Sequence, residues 1–209
     1  MADERSQVLF IQFARAPVAG QVKTRMMPHL SPEQACALHC ELVLWTSRQL
    51  AGSGLGDIEL SVAGDCAHPL FDRCRKAGVH CVSRQSGADL GQRMYRAIGG
   101  GLNRYKKVVL VGSDCPGIDR TYLQQAVCGL DRAPLVLGPA EDGGYVLIGA
   151  SSIREDIFEH IPWGTASVYA DTITVLRQRG LAWLELPTRV DVDRPDDLAA
   201  WTRLRARAV

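Results

Sequence analysis

Short apolar runs alternate along this chain with longer stretches whose apolar residues recur every third or fourth position. The first pattern suits buried strands and the second suits amphipathic helices. Val8–Phe13, Ile58–Ala63, Val79–Val82, Val108–Val111, Leu135–Leu137, Tyr145–Ile148 and Leu181–Leu186 read as strands. Between them, Ser31-Pro32-Glu33-Gln34 opens a helix with a capping serine, a proline at the first position and a glutamine that can close a capping box. Ala35, Leu38, Leu42 and Trp45 form its apolar face, and Gly52-Ser53-Gly54 ends it. Further helices are expected over 67–77, over Ala88–Arg104 with Leu90, Met94, Ala97 and Ile98 inward, and over Asp119–Leu130. Another runs from a Thr165 cap to Arg179, stopped by Gly180. The last starts at Pro195, with Leu198, Trp201 and Leu204 inward.

Strands that alternate with helices form a mainly parallel sheet sandwiched between helices. The Gly138–Gly144 connection is too short for a helical crossover, so one pair is expected to be antiparallel. The pattern shows no internal repeat, low-complexity tract or linker, and residues 1–209 read as a single domain. Its length allows a sizeable core. Net charge is +1, so the whole-molecule field gives no reason to expect a nucleic-acid or membrane partner. The start is acidic and lacks the apolar core of a signal peptide. No run approaches the roughly 20 apolar residues of a membrane span. The expected location is the cytoplasm. The seven cysteines include no Cys-x-x-Cys pair and read as reduced thiols rather than a disulfide framework.

Three segments carry candidate chemistry. In open α/β sheets, ligands bind beyond the carboxyl ends of the strands. A basic loop, Arg15 to Arg25, follows the first strand. It fails as a Walker A loop, which would need glycines at Pro17 and Val22, yet Lys23 and Arg25 can neutralise a pyrophosphate that Gly20 lets approach. Gly112-Ser113-Asp114-Cys115-Pro116 follows another strand. Asp114 there suits Mg²⁺ or an Asx turn equally. Asp191-Val192-Asp193 precedes the last helix, where one acid can cap and the pair can ligate a cation. Asp142-Gly143-Gly144-Tyr145 reads as a hairpin turn or as a glycine-lined substrate wall. Trp163-Gly164-Thr165 reads as a helix cap or a stacking surface. Cys115 adjoins Asp114, but no histidine in that motif can activate it.

Taken in order, these motifs and Asp89-Leu90-Gly91-Gln92-Arg93-Met94 resemble a known family over Val8 to Leu198. It is that of uncharacterised bacterial transferases labelled radical-SAM/selenodomain-associated glycosyltransferases, within the nucleotide-diphospho-sugar transferase superfamily. The resemblance implies a GT-A fold, a Rossmann-like three-layer α/β/α sandwich with a mixed, mainly parallel sheet. It implies that Asp114 and Asp193 share Mg²⁺ or Mn²⁺ on the nucleotide's phosphates. Arg15, Pro17, Gly20, Lys23, Arg25, Leu90, Gly91 and Arg93 would then contact nucleotide, with Lys23, Arg25 and Asp114 catalytic. Asp142, Gly143, Gly144, Tyr145 and Trp163 would face a small-molecule acceptor. Ala88, Gly164 and Arg194 depart from the usual Gly, Ser and Thr of the family. Glycosyl transfer from a nucleotide-diphosphate sugar is the first reading. Guanylyl- or cytidylyl-type nucleotidyl transfer, nucleotide binding without turnover and thiol chemistry at Cys115 are the alternatives.

Overall fold

Side chains alternate across the first strand, β1 (Ser6–Arg15), and that alternation sets the layers. Val8, Phe10 and Ala14 join one buried cluster, while Leu9 and Ile11 join another on the opposite face. The computed structural model describes residues 6–27 and 29–207.

Six further strands complete the sheet: β2 (Asp57–Ala63), β3 (Cys81–Arg84), β4 (Tyr105–Val111), β5 (Leu135–Pro139), β6 (Tyr145–Ala150) and β7 (Trp183–Glu185). Their order is β3-β2-β1-β4-β6-β5-β7. β6 runs antiparallel to both β4 and β5, and the other pairings are parallel. The β5–β6 pair is the one the short 138–144 connection demands.

Helices α1 (Pro32–Ser53), α2 (Pro69–Lys76) and α4 (Arg120–Gly129) cover the Phe10 face with residues such as Val43, Phe71 and Leu123. Helices α3 (Leu90–Leu102) and α5 (Val168–Gln178) cover the Leu9 face with Met94, Ile98, Ile173 and Leu176. The result is the expected three-layer α/β/α sandwich. No helix among the described residues is long and apolar enough to cross a membrane.

A third, smaller cluster lies outside the sandwich. Ala35, Leu38 and Leu42 of α1 pack with Met26 just after the basic loop, with Val192, and with Trp201 of the final helix, α6 (Leu198–Arg207). Trp45 meets Trp201 edge-on, with ring centroids 5.1 Å apart. The apolar face read from α1's periodicity is therefore the one that faces α6, while Val43, Leu44 and Leu50 supply a second face to the sheet. The helix begins as expected. The Ser31 side chain accepts from Gln34 N at 3.2 Å, and Gln34 Oε1 accepts from Ser31 N at 2.8 Å.

Several boundaries differ from the expectations. β3 lies two residues later, because Val79 N donates to Cys74 O at 3.1 Å and so belongs to the turn that closes α2. α3 begins at Leu90, since Asp89 caps it by accepting from Gln92 N at 2.8 Å. Leu90, expected inward, is exposed, as is Leu204. Thr165 does not cap α5. Its hydroxyl donates to Pro162 O at 2.9 Å inside a turn, and the helix starts at Val168.

Candidate functional site

The carboxyl ends of β1 to β4 open onto one cavity of about 740 Å³. The β5–β6 hairpin and the segment after β7 reach the same edge. Five cationic side chains line it (Arg15, Lys23, Arg25, Arg93 and Arg194), against four carboxylates (Asp114, Asp142, Asp191 and Asp193). The mixture suits an anionic ligand held together with a cation.

At its floor the basic loop meets both acidic motifs. Lys23 Nζ lies 2.7 Å from Asp114 Oδ1 and 3.8 Å from Asp193 Oδ1, and donates to Val192 O at 2.7 Å. Arg25 donates to Asp193 Oδ2 at 2.7 Å. Lys23 has a side chain only 3% exposed, and its backbone is left-handed at φ 51°. Such a conformation in a non-glycine residue costs about 1–3 kcal/mol and persists only when its surroundings hold it. Here the ammonium's three oxygen partners do so.

Asp193 is available for this pairing because it does not cap the last helix. The N-cap position is Arg194, and Asp197 reaches back from the first turn to accept from Asp193 N at 2.9 Å and Arg194 N at 2.7 Å. Asp114 is tied to the same segment, since Val192 N donates to Asp114 O at 2.8 Å. Its Oδ1 is buried against the Lys23 ammonium, while the side chain as a whole is 46% exposed to the cavity. Burial, reinforced by the carboxylates of Asp114 and Asp142, pushes Asp191 up to about 7.

These observations fit a hard divalent cation. The crowding of Asp114, Asp142, Asp191 and Asp193 is what such an ion would relieve. No group of three or more His, Cys, Asp or Glu side chains among the described residues is placed to hold a metal alone. Asp114 and Asp193 would hold it with phosphate and water oxygens, the usual arrangement for Mg²⁺.

A buried polar network sets the Asp114 loop. Gln12, within β1 and fully buried, donates through Nε2 to Val43 O and Ser113 Oγ, both at 2.9 Å. Ser47 Oγ donates to Gln12 Oε1 at 2.7 Å, and Ser113 Oγ donates to Phe13 O at 2.7 Å. β1, α1 and the loop are thus linked by satisfied groups, and such networks are stiff. From behind, Arg189 donates to Gly117 O at 3.2 Å and stacks over Tyr122 at 4.3 Å.

The far wall is aromatic. Tyr145 and Trp163 meet edge-on at 6.3 Å, with Phe158 behind Trp163. Gly91 allows this approach, because a Cβ there would lie 2.8 Å from the indole ring. Gly143, at φ 89°, packs against the Ala166 carbonyl.

Of the residues singled out in the sequence, Arg15, Lys23, Arg25, Leu90, Arg93 and Asp114 line the cavity. Asp142, Gly144, Tyr145, Trp163 and Asp193 do so too. Pro17, Gly20, Gly91 and Gly143 are not among the lining residues. Pro17 is buried, and Gly20 stands at an exposed bend at φ 78°. The latter two shape the wall from behind. The exposure of Leu90 places it at the cavity instead of in the core.

Sequence reading overlooked Gln85, His39, Gln12 and Arg189. Gln85 directly follows β3, where strand-end logic points, and donates to Ser61 O at 2.9 Å. Gln12 carries a subtler signal, a polar residue inside an apolar run.

Cys115 is 1% exposed, and burial, with Asp191 adding to it, pushes its thiol up to about 12. Thiol chemistry there is not supported. Native protein treated with iodoacetamide at neutral pH is expected to be alkylated at exposed Cys81 and Cys128, with Cys115 unmodified by mass spectrometry. Rapid native labelling of Cys115 would contradict this environment.

His39 is also buried, with Nε2 3.0 Å from Arg15 O. A carbonyl only accepts, so Nε2 carries the proton of a neutral ring. Burial lowers its pKa below the ordinary 6.5. The unfolded ring therefore gains a proton first as pH falls, and stability drops below about 6.5. Melting curves from pH 7 to 5 are expected to fall more steeply for wild type than for His39→Gln, which keeps a donor. Parallel curves would remove His39 as the cause.

The chain is similar to several solved structures. A crystal structure of a protein from Desulfovibrio desulfuricans G20, provisionally called a nucleotide-diphospho-sugar transferase, is 32% identical, with a TM-score of 0.78 over 90% of this chain and 83% of that one. Two more distant structures share the fold alone. CMP:2-keto-3-deoxy-manno-octonic acid synthetase complexed with CTP is 13% identical, with a TM-score of 0.58 over 98% of this chain and 100% of that one. The Mycobacterium tuberculosis protein Rv0371c in complex with manganese is 17% identical, with a TM-score of 0.50 over 96% of this chain and 98% of that one. No curated protein matches the chain. Residues 46–165 match the family described as uncharacterized protein conserved in bacteria, DUF2064. With more than half its length in that match, the chain belongs to the DUF2064 family.

Proposed function

We propose that this protein is a metal-dependent, nucleotide-binding transferase that moves a glycosyl group from a nucleotide-diphosphate sugar to a small-molecule acceptor. One observation carries the reading: Lys23 and Arg25 converge on Asp114 and Asp193 at the floor of a strand-end cavity. The 32% identical relative, provisionally called a nucleotide-diphospho-sugar transferase, supports it.

Asp114 and Asp193 hold Mg²⁺ or Mn²⁺, which when bound neutralises charge building on the leaving diphosphate. Lys23 and Arg25, on the same cavity floor, share that task by bringing positive charge to the leaving group. Arg15 faces the nucleotide, with Leu90 and Arg93 opposite, while Pro17 and Gly20 shape the basic loop and Gly91 backs the Trp163 wall. Tyr145 and Trp163 give the sugar or acceptor an apolar face, and Asp142, carried on the Gly143-Gly144 turn, offers it a carboxylate acceptor.

Nucleotidyl transfer is the second reading. A buried lysine and an arginine from one loop suit a leaving pyrophosphate equally well, and a synthetase seen with CTP shares the fold.

A thermal-shift screen of sugar nucleotides and nucleoside triphosphates, with and without Mg²⁺ or Mn²⁺, tests both. Ligands that bind the folded state raise its melting temperature. A metal-dependent rise with a sugar nucleotide, followed by nucleoside diphosphate release once an acceptor is added, supports glycosyl transfer. A rise with triphosphates alone, with pyrophosphate release, selects the second reading. No rise with any nucleotide at millimolar concentration sinks both.

A further inference from the structure

Lys23 does more than line the cavity, and its contacts pose a specific question. Its ammonium lies 2.7 Å from Asp114 Oδ1 and 3.8 Å from Asp193 Oδ1, between the two acids that best fit a divalent cation. Its third oxygen, Val192 O, belongs to the same acidic segment. The side chain is 3% exposed, whereas Arg25, on the outer oxygen of Asp193, is 54% exposed. Solvent therefore screens Arg25 well and Lys23 poorly.

We propose that Lys23 is a built-in counter-ion that competes with the divalent cation for Asp114 and Asp193, so that metal binds strongly only together with a phosphate ligand that draws the ammonium away. This rests on the transferase reading for the identity of the phosphate ligand, not for the competition itself. The argument is electrostatic. A positive charge within contact distance of a ligand oxygen repels a second cation brought to the same oxygen, more so where water is excluded. Lysine suits the task. Its ammonium is a compact point charge on a flexible stem and can transfer to phosphate oxygens without moving the backbone. The cavity-facing part of Asp114 leaves room for that exchange, since the side chain is 46% exposed. The left-handed backbone at Lys23 aims the side chain inward from the start of a 3₁₀ turn, a conformation the loop retains despite its cost.

A consequence is ordered chemistry. A metal ion alone gains little, because it must displace the lysine. A phosphate ligand alone gains little, because it meets carboxylates. Together each removes the other's obstacle, which is positive coupling between two ligands of one site.

The test is a Mn²⁺ titration of the full chain, followed by the electron paramagnetic resonance signal of free Mn²⁺ with no phosphate present. Wild type, Lys23→Met and Lys23→Arg are compared. Lys23→Met is expected to bind Mn²⁺ at least about tenfold more tightly than wild type, with Lys23→Arg close to wild type. A merely structural role for Lys23 predicts the reverse, weaker binding on its loss. Circular dichroism checks folding, and Lys23→Gln carries the same comparison if the methionine variant does not fold. Thermal shift at a buffered free Mn²⁺ concentration supplies the second arm. Wild type is expected to respond to Mn²⁺ only with inorganic pyrophosphate added, and Lys23→Met to respond to Mn²⁺ alone. Equal or weaker Mn²⁺ affinity in Lys23→Met, or no Mn²⁺ binding by any variant, overturns the proposal. Failure of the transferase reading would appear separately, as indifference of wild type to every nucleotide. Tighter Mn²⁺ binding by the methionine variant would still stand in that case.

Discussion

Replacing Asp114 with alanine is expected to abolish the metal-dependent rise in melting temperature with nucleotide and to lower turnover roughly hundred- to thousandfold. The reason is positional. Asp114 is the acid whose Oδ1 lies against Lys23 while the rest of its side chain faces the cavity, so it touches both the resident charge and the ligand space. Its removal takes away one of the two protein ligands proposed for the cation, and phosphate and water cannot restore the geometry. The fold should survive. Lys23 keeps Val192 O and Asp193 as partners, so the loss in stability should be about 1–2 kcal/mol, well below that for stranding a fully buried charge. Asp114→Asn separates shape from charge. It keeps the side-chain volume and should lose the metal response as completely. Calorimetric titration with sugar nucleotide and Mg²⁺ checks both variants. Undiminished, metal-dependent nucleotide affinity in either would remove Asp114 from the site.

The second large effect concerns a residue that contacts no ligand. Gly143→Ala is expected to destabilise the protein by about 3 kcal/mol, a fall in melting temperature of roughly 6–12 °C for a chain of this size. Two causes combine there. The backbone is at φ 89°, which a side chain disfavours, and the new Cβ would run into the Ala166 carbonyl. Relief would break the bond from Tyr169 N to Gly143 O at 2.8 Å, which ties the hairpin to the start of α5. Gly164→Ala is the control. It has a similar φ of 86° but nothing within 4 Å of the added methyl, so only the conformational term of about 1 kcal/mol remains. Equal melting temperatures for the two variants would show that the Ala166 contact carries no weight. Since Asp142, Gly144 and Tyr145 ride on this turn, nucleotide or acceptor affinity should fall further in Gly143→Ala than stability alone requires.

Much of the architecture was legible in local chemistry. The unbroken apolar run Val8 to Ile11 marks a strand buried on both faces, and the capping box at Ser31 and Gln34 marks where α1 begins. The short link between β5 and β6 required an antiparallel pair. Because loops after parallel strands emerge on one edge, three distant motifs could be expected to meet. Each inference needs only neighbours in the chain or a general rule of topology, which is why it succeeds.

What was not legible depends on residues remote in sequence. Lys23 and Val192 are 169 positions apart, and no local pattern announces that an ammonium will sit between two particular carboxylates. Asp193 could be read as a cap or as a cation ligand. Its side chain caps no helix and pairs with Arg25, while Asp197, four residues on, holds the Asp193 and Arg194 amides. The inward face assigned to α3 included Leu90, but a residue in a first turn faces whatever surrounds the helix end, here the cavity. Gln12 appeared as a blemish in an apolar strand until Ser47 and Ser113 satisfied it. Local propensity and periodicity thus account for the elements and their order. The charge pairing, the aromatic wall and the polar network arise only when packing brings distant side chains together, because Coulombic and hydrogen-bond energies depend on separation in space and not along the chain.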